Sequence, residues 1–466
     1  MEAFYLEDYL NDRGEVREKA CMSFEKLCET IKEDFMMEWD RDSGDIGTSL
    51  KLQKKAMIGY TNEVAFFKEK IRAMIKVYNG ETTDYPPWYK SIVDGIYHEN
   101  WGLTGIAEWF SDEYSESSSA KIVGDRIFFM RGGRMRLMPQ TIDKHRREQL
   151  MRAFLLLTPQ ERLDKDFHEI YLLDGTRITI FGGGMVKQDQ DVIIFRRYVV
   201  PNFTFEEQAS RGTIPEDAIP LFKAMVDFGP NIVVAGQVRS SKTTFLSTWQ
   251  SYENPELEGV MVETDPEIPL HKMMPDAPIV QLLADNEELR KISKNLLRSD
   301  ADYFILAEAR DGNALETAMK VAAKGTRRMK LTFHCRDPLD FPYDAAWEIV
   351  KATGGDLETA AQKVAISFDY VFHFTQLRDK SRKRLRSIYE LSLDRKCRLI
   401  KMECICRYDY ESDSWRWKNH IGKEKQEFAE EEDREAFDRF SKQLDLLATT
   451  HPFDDREEDM DLCTQK

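Results

Sequence analysis

The stretch Asn231-Ile-Val-Val-Ala-Gly-Gln-Val-Arg-Ser-Ser-Lys-Thr-Thr-Phe-Leu-Ser-Thr-Trp249 decides the fold. Ile232 to Ala235 is a short apolar run, as expected of a strand buried on both faces of a parallel sheet. Gly236 ends it, and from Lys242 to Trp249 no helix breaker interrupts the chain, so a helix follows. Strand, loop and helix in that order are the setting of a phosphate-binding loop, in which backbone N–H groups and a helix N-terminus face the phosphates. In that reading Gly236, Gln237, Val238, Arg239, Ser240, Ser241, Lys242, Thr243 and Thr244 form the cradle. Lys242 reaches the β- and γ-phosphates, and the Thr243 hydroxyl holds Mg²⁺. The pattern G-x-x-x-x-G-K-[ST] has glycine before the lysine, where this chain has Ser241. From this segment alone, an ordinary strand–turn–helix with a lysine in its turn stands equally open.

Outward from the loop the chain alternates. Gly259 to Glu263 reads as a strand, Asp285 to Leu297 as a helix, and Tyr303 to Ala307 as a buried strand followed by Glu308. Ala314 to Lys324 is a helix, and Met329 to Phe333 a strand followed by His334. Such alternation gives an α/β fold with a parallel, doubly wound sheet. Ligands of such sheets sit outside the carboxyl ends of the strands. Gly236, Glu263, Glu308 and His334 all fall at expected strand ends, which points to one site. Glu308 stands where an acid that orients an attacking water would be, with Glu263 beside it.

Before the loop, Thr213-Ile-Pro-Glu-Asp opens a helix with proline in its first turn. Pro201 to Arg211 is a linker in which Thr204 and Glu207 have capping-box spacing. Residues 1–85 read as helices, with Phe66, Ile71, Ile75 and Tyr78 lining one face of Ser49 to Tyr78. Pro86-Pro87 opens a small α/β unit. Its strands fall within Ala120 to Arg134, Glu169 to Leu173, Arg177 to Phe181 and Val192 to Val199, with a helix around Gln140 to Leu157. After His334 come strands at Phe368 to Phe374 and Arg384 to Leu393, then a hairpin from Leu399 to Tyr408 and Trp415 to Trp417. Glu430 to Leu447 is an acidic amphipathic helix with Phe437, Phe440, Leu444 and Leu447 on one face, and Asp454 to Asp461 a disordered acidic tail.

At 466 residues the chain has room for two or three domains, and 42 % hydrophobic residues supply their cores. The formal net charge of −16 argues against broad nucleic-acid binding and disfavours a DNA-translocating motor. No apolar run is long enough to span a bilayer, and the N-terminus lacks a signal-peptide layout. A cytosolic protein with at most peripheral membrane association is expected. The seven cysteines are scattered, as reduced thiols would be.

These motifs resemble those of the hexameric ATPases of type II and type IV secretion systems and pili, most closely the branch serving tight-adherence (Flp) pili. The similarity runs from about Trp101 to Leu393. Thr104-Gly-Ile-Ala-Glu-Trp-Phe110, Ile122-Val-Gly-Asp-Arg-Ile-Phe128, Leu173-Asp-Gly-Thr-Arg-Ile178 and Ile194-Phe-Arg-Arg-Tyr198 are similar to the family's N-terminal domain. Gly236 to Thr244 corresponds to its phosphate loop, and Glu263-Thr-Asp-Pro-Glu267 to its acidic box. Asp302-Tyr-Phe-Ile-Leu-Ala-Glu-Ala-Arg310 corresponds to its Walker B segment, and Leu331-Thr-Phe-His334 to its histidine box. Leu377-Arg-Asp-Lys-Ser-Arg-Lys383 resembles its ending Asp-Gly-x-Arg-Arg. The chain departs from the family at Ala307 and Ser241, where glycine is usual, at Thr264, where aspartate is usual, and at Arg327-Arg-Met-Lys330, where small residues are common.

The resemblance implies a RecA-like P-loop motor domain (213–395) with a smaller N-terminal α/β domain (86–200), a helical N-terminal extension (1–85), a linker (201–212) and an acidic C-terminal extension (396–466). It implies ATP and Mg²⁺ bound between the two domains, and a homo-hexamer docked on an inner-membrane platform protein. Glu308, Glu263, Arg310 and His334 are then the catalytic candidates, with Thr243 and Glu308 at the metal. Arg196, Arg197 and Arg310 are candidates for neutralising γ-phosphate charge. A catalytically weak nucleotide-binding subunit with a structural role is the alternative.

Overall fold

A computed structural model describes residues 22–42, 52–53, 55–57, 59–155, 167–172, 175–197, 203–264, 267–284, 286–296, 301–309 and 312–453. Arg310 and the tail from Asp454 lie outside these residues. The chain forms two compact units, Met1–Val199 and Val200–Lys466. No described helix is long and apolar enough to cross a membrane.

The first unit opens with helices α1 (Phe24–Asp42), α2 (Thr61–Val77) and α3 (Ile92–Asn100). They bury Leu27, Ile31, Phe35, Phe67, Ile71 and Trp101 together, with Phe35 stacked on Phe67 at 5.2 Å between ring centroids. The face of α2 is set by Phe67, Ile71, Met74 and Ile75, a spacing of four, three and one. Phe66 lies about 100° off that stripe and is 40 % exposed, contrary to the sequence expectation. An antiparallel sheet follows in the order β3 (Arg134–Thr141), β2 (Arg126–Arg131), β1 (Ser119–Val123), β6 (Val192–Arg196), β5 (Arg177–Phe181), β4 (Phe167–Tyr171). The helix expected from Gln140 is α4 (Lys144–Leu155), because the chain up to Thr141 pairs with β2 as an edge strand. Edge position is also what admits Pro139 within β3.

The second unit is built on one nine-stranded sheet. Its order is β15 (Ser414–Trp417), β14 (Leu399–Asp409), β13 (Lys383–Asp394), β12 (Tyr370–Gln376), β7 (Ile232–Gly236), β11 (Lys330–Phe333), β10 (Tyr303–Ala307), β8 (Gly259–Glu263), β9 (Ile279–Leu283). From β12 to β9 every pairing is parallel, and from β12 to β15 every pairing is antiparallel. All residues of β7, β8, β10 and β11 are buried. One face packs on α5 (Phe205–Ser210), α6 (Ile219–Phe228), α7 (Lys242–Ser251) and α12 (Lys423–Thr450), through Phe205, Phe222, Phe245, Trp249 and Phe440. The other carries α8 (Asn286–Leu296), α9 (Gly312–Ala322), α10 (Phe341–Thr353) and α11 (Leu357–Ser367).

The expected capping box is present: Glu207 N–H donates to Thr204 Oγ1, and Thr204 N–H to Glu207. The helix expected at Thr213 instead begins at Ile219, after a 3₁₀ turn at Glu216–Ala218. Thr213 is extended alongside β13, where its carbonyl accepts Leu385 N–H at 2.7 Å.

Asn231 fixes β7 among its neighbours. Its side-chain amide donates to Ser367 O at 2.9 Å, its side-chain carbonyl accepts Met329 N–H at 3.0 Å, and its own N–H donates to Asp369 at 2.7 Å. The basic run before β11 is consumed by buried ion pairs. Arg328 and Lys330 reach Glu253 at 2.7 and 2.8 Å, and Arg327 reaches Asp369 at 3.3 Å, a carboxylate that also takes Lys425 from α12. Those residues therefore anchor loops behind the sheet, since a buried charge must be paired.

Candidate functional site

The C-terminal ends of β7, β8, β10 and β11 lie along one edge of the sheet. Ala307 is in register with Glu263, and Phe333 with Ala235, the residue before Gly236. The strand that ends at Glu308 is separated from β7 by β11. The loop strand is thus flanked by β11 and β12 within the parallel part of the sheet, in line with the parallel α/β sheet expected from the sequence.

Gly236 leaves β7 with φ +142°, and a Cβ there would come within 2.2 Å of Phe374 O on β12. Glycine is the one residue that fits so close an approach. The loop then turns through Arg239 (φ +64°) and Ser241 (φ +79°) before α7 starts at Lys242. Glu308 also has positive φ, at +65°. Three non-glycine residues in the left-handed region thus gather at one sheet edge, and each costs about 1–2 kcal/mol. Ordinary backbone angles at Ser241, on which tolerance of serine there would rest, are not observed. At the neighbouring departure the strain falls on Glu308 and not on Ala307, which is a regular strand residue.

Lys242 is buried. Its Nζ donates to Gln237 O at 2.8 Å and lies 3.3 Å from His334 Nδ1. An ammonium has no acceptor, so Nδ1 accepts and the imidazole proton sits on Nε2. That nitrogen faces Glu308 Oε1 at 3.4 Å. Glu308 is itself fixed by its N–H donating to Thr332 Oγ1 at 2.6 Å. Lysine from the start of α7, and histidine and glutamate from just past β11 and β10, therefore form one chain of polar contacts.

Glu263 plays a different part from the one expected. It is buried, and its Oε1 accepts Glu267 N–H at 3.1 Å and Ile268 N–H at 3.0 Å. The turn it holds brings Glu267 Oε2 to within 3.2 Å of Thr243 Oγ1, which donates to it. Glu267, not Glu263, is the carboxylate at the Thr243 hydroxyl. Sequence reading quoted Glu267 within the acidic box but did not place it at the site. Thr243 and Glu267 offer hard oxygen ligands, the donor set Mg²⁺ takes.

Other expected residues belong to the first unit or serve packing. Arg197 belongs to the first unit, where its guanidinium sits 3.8 Å from the Trp109 ring centroid and donates to Trp109 O. Arg196 is exposed at the end of β6. Val238 and Gln237 are exposed at the loop tip, and Ser240 is fully buried beneath it. Cys335, directly after His334, is buried, and burial pushes its thiol up to about 12, with Asp344 adding to the effect. It is therefore a packing thiol, not a nucleophile. His373, opposite Ala235 on β12, is held neutral by burial, with its pKa lowered to about 4.

Fold and site together define an α/β protein whose mainly parallel sheet carries a lysine-bearing strand–loop–helix at its carboxyl edge. No family model matches the chain. Over 131 residues it is 26 % identical to the uncharacterized protein MJ1287 of Methanocaldococcus jannaschii, covering 27 % of this chain and 48 % of that one. The chain thus spans about half the length of the curated relative it matches. Among solved structures it is similar to the VirB11 ATPase of the Brucella suis type IV secretion system, at 18 % identity over 61 % of this chain and 92 % of that one, with a TM-score of 0.34. It is similar to the pilus retraction motor PilT with bound ADP at 12 % identity over 73 % and 92 %, with a TM-score of 0.43. For the ATPase DotB of Yersinia pseudotuberculosis the figures are 15 %, 75 %, 90 % and 0.44. The fold assignment rests on the strand order and the loop, not on these likenesses.

Proposed function

We propose that the second unit binds Mg–ATP at the Gly236–Thr244 loop and hydrolyses it. The observation that carries the reading is the contact chain from Lys242 through His334 to Glu308 at the carboxyl edge of the sheet. Lys242 is parked on Gln237 O, and a triphosphate would offer its ammonium better acceptors. Thr243 and Glu267 would hold the metal, which neutralises charge on the phosphates when bound. Glu308 orients the attacking water and accepts its proton, and His334 fixes the carboxylate from the β11 side. Gly236 and the N-terminus of α7 supply backbone donors to the phosphates.

The order of the motifs supports a motor of the secretion and pilus class. In that reading the chain powers assembly of a type IV or Flp-like pilus, or of a type II or type IV secretion or conjugation machine. It works as a hexamer on a platform protein at the cytoplasmic face of the inner membrane, with residues 86–200 as the N-terminal domain and 213–395 as the motor. Steady-state ATPase activity of the purified chain is the test. Lys242→Ala should abolish it while leaving the fold intact, and equal activity in the two proteins would remove the phosphate-loop reading.

A second reading is a weakly active nucleotide-binding subunit with a structural role in the same assembly. The positive φ angles of Arg239 and Ser241 favour it, because glycine is missing where the loop turns left-handed. Glu308→Gln separates the two. Turnover in the parent no faster than in Glu308→Gln would select the structural reading.

A further inference from the structure

The sheet brings a second group of cations to the loop, from the side opposite His334. β12 flanks β7 where β11 does not, and Phe374 stands in register with Gly236. The β12–β13 hairpin continues beyond that point through Thr375 paired with Arg384 and Gln376 paired with Lys383. It closes where Leu377 N–H donates to Arg382 O. Lys383 therefore stands past the end of β7, abreast of the loop that carries Arg239. Ahead of its pairing with β14, the start of β13 runs beside the Arg211–Thr213 turn: Leu385 N–H donates to Thr213 O, and a Cβ on Gly212 would lie 3.1 Å from the Arg384 guanidinium. Arg211 itself lies over the Phe203 ring at 4.2 Å.

Among the described residues, Arg211, Arg239 and Lys383 make no ion pair with a carboxylate. The nearby acid Asp413 is taken by Arg382 and Arg384, at 2.7 and 3.2 Å. Asp379 at the hairpin tip accepts from Ser381 N–H and hydroxyl. The Lys383 ammonium is pushed below its ordinary range, first by burial, then by the like charges of Arg211 and Arg239. A chain of net charge −16 has acids in excess, so three cations gathered without one mark a place where an anion arrives from outside.

We propose that Lys383, Arg211 and Arg239 form a second wall of the nucleotide site and hold the α-phosphate end of the bound nucleoside phosphate. The proposal rests on the reading of Gly236–Thr244 as a nucleotide loop. The reacting end of the triphosphate faces Glu308 and His334 on the β10–β11 side. The hairpin lies on the other side of β7, so its cations meet the end nearer the ribose. ADP and ATP share that end, and both should feel the loss of a cation equally.

Full-length Lys383→Gln and Arg211→Gln test this, titrated with fluorescent ATP and ADP analogues beside Lys242→Ala. Each glutamine variant should bind both nucleotides about tenfold more weakly, and Lys383→Arg should restore most of the affinity. In turnover the loss should fall on KM, not on kcat. Unchanged affinity for both nucleotides in both glutamine variants, while Lys242→Ala abolishes binding, would overturn the second wall and leave the loop reading standing. A fall in kcat at unchanged KM would overturn it too, because the cations would then act at the reacting end. Intact binding in Lys242→Ala would sink the loop reading itself, and the proposal with it.

Discussion

Ser241→Gly is the substitution that most directly tests the strained loop. Ser241 sits at φ +79°, ψ 20°. A Cβ in that region costs about 1–2 kcal/mol. Glycine removes this cost but gives the unfolded chain more freedom, worth about 0.5–1 kcal/mol in the opposite direction. The net gain for glycine is about 0.5–1 kcal/mol. Backbone strain at this position is carried by the folded loop, so the gain is expected in folding more than in nucleotide binding. Urea unfolding should therefore show a higher midpoint at an unchanged slope. ATP affinity should change by less than about threefold, under the tenfold that 1.4 kcal/mol gives. Ser241→Ala keeps the Cβ and loses only the hydroxyl, so it should stay near the parent in stability. A Ser241→Gly protein no more stable than the parent would refute the left-handed assignment. Unchanged stability with affinity raised tenfold would show instead that the strain arises only when nucleotide binds.

Three further expectations follow from the geometry. Gly236→Ala must displace β12, since its Cβ would meet Phe374 O at 2.2 Å; a loss of about 3 kcal/mol or more in urea unfolding, with loss of ATP binding, is expected. Glu267→Ala removes the carboxylate at Thr243, so the Mg²⁺ concentration giving half-maximal ATPase activity should rise about tenfold, whereas an unaltered Mg²⁺ dependence would exclude Glu267 from the metal. Glu390 is buried on β13, and burial raises its carboxyl to about 7 despite Lys425 and the Gly422 N–H. Its folded form therefore holds a proton that the unfolded form has lost between about pH 4.5 and 7, and its contribution to stability falls across that window by about 3 kcal/mol. His373, lowered to about 4, works in the opposite direction between about pH 4 and 6.5. The test is thus the difference between parent and Glu390→Gln in unfolding free energy at pH 5 and pH 7.5, which should move in favour of the glutamine protein as pH rises.

The alternation of strands and helices around Asn231 to His334 carried the motor fold, because fully buried parallel strands leave an unbroken apolar run that short loops bracket. Glu308 and His334 were legible for the same reason, each standing one residue past such a run. What sequence could not give was the direction of side chains in turns. Glu263 and Glu267 are both acids near a strand end, and only the turn between them decides which reaches Thr243. Strand β9 escaped notice because Ile279-Val-Gln-Leu-Leu283 lies on the sheet edge, half-buried and without flanking signals. Helices α10 and α11 were also missed. Their buried faces are largely alanine, at 345, 346, 360, 361 and 365, which gives little hydrophobic contrast. The left-handed turns at Arg239 and Ser241 break the local rule that such positions hold glycine. Reading the missing glycines as a weakened loop and reading them as stored strain are equivalent on paper until the backbone is seen.

Helix α12 sets where the second unit can be cut. Phe437, Phe440, Leu444 and Leu447 are buried against α6 and the sheet, with Phe440 at 5.1 Å from Phe228 and 6.2 Å from Tyr370. Burying four such side chains contributes about 6–12 kcal/mol, as much as the whole net stability of an ordinary domain. Trp417 and Pro452 are bridged, so hairpin and helix close on each other. A protein ending at residue 395 would carry every residue named for chemistry and still lack part of the hydrophobic cover on one face of its sheet. The smallest self-sufficient form of the second unit therefore extends to Phe453, and the C-terminal helix is part of its core.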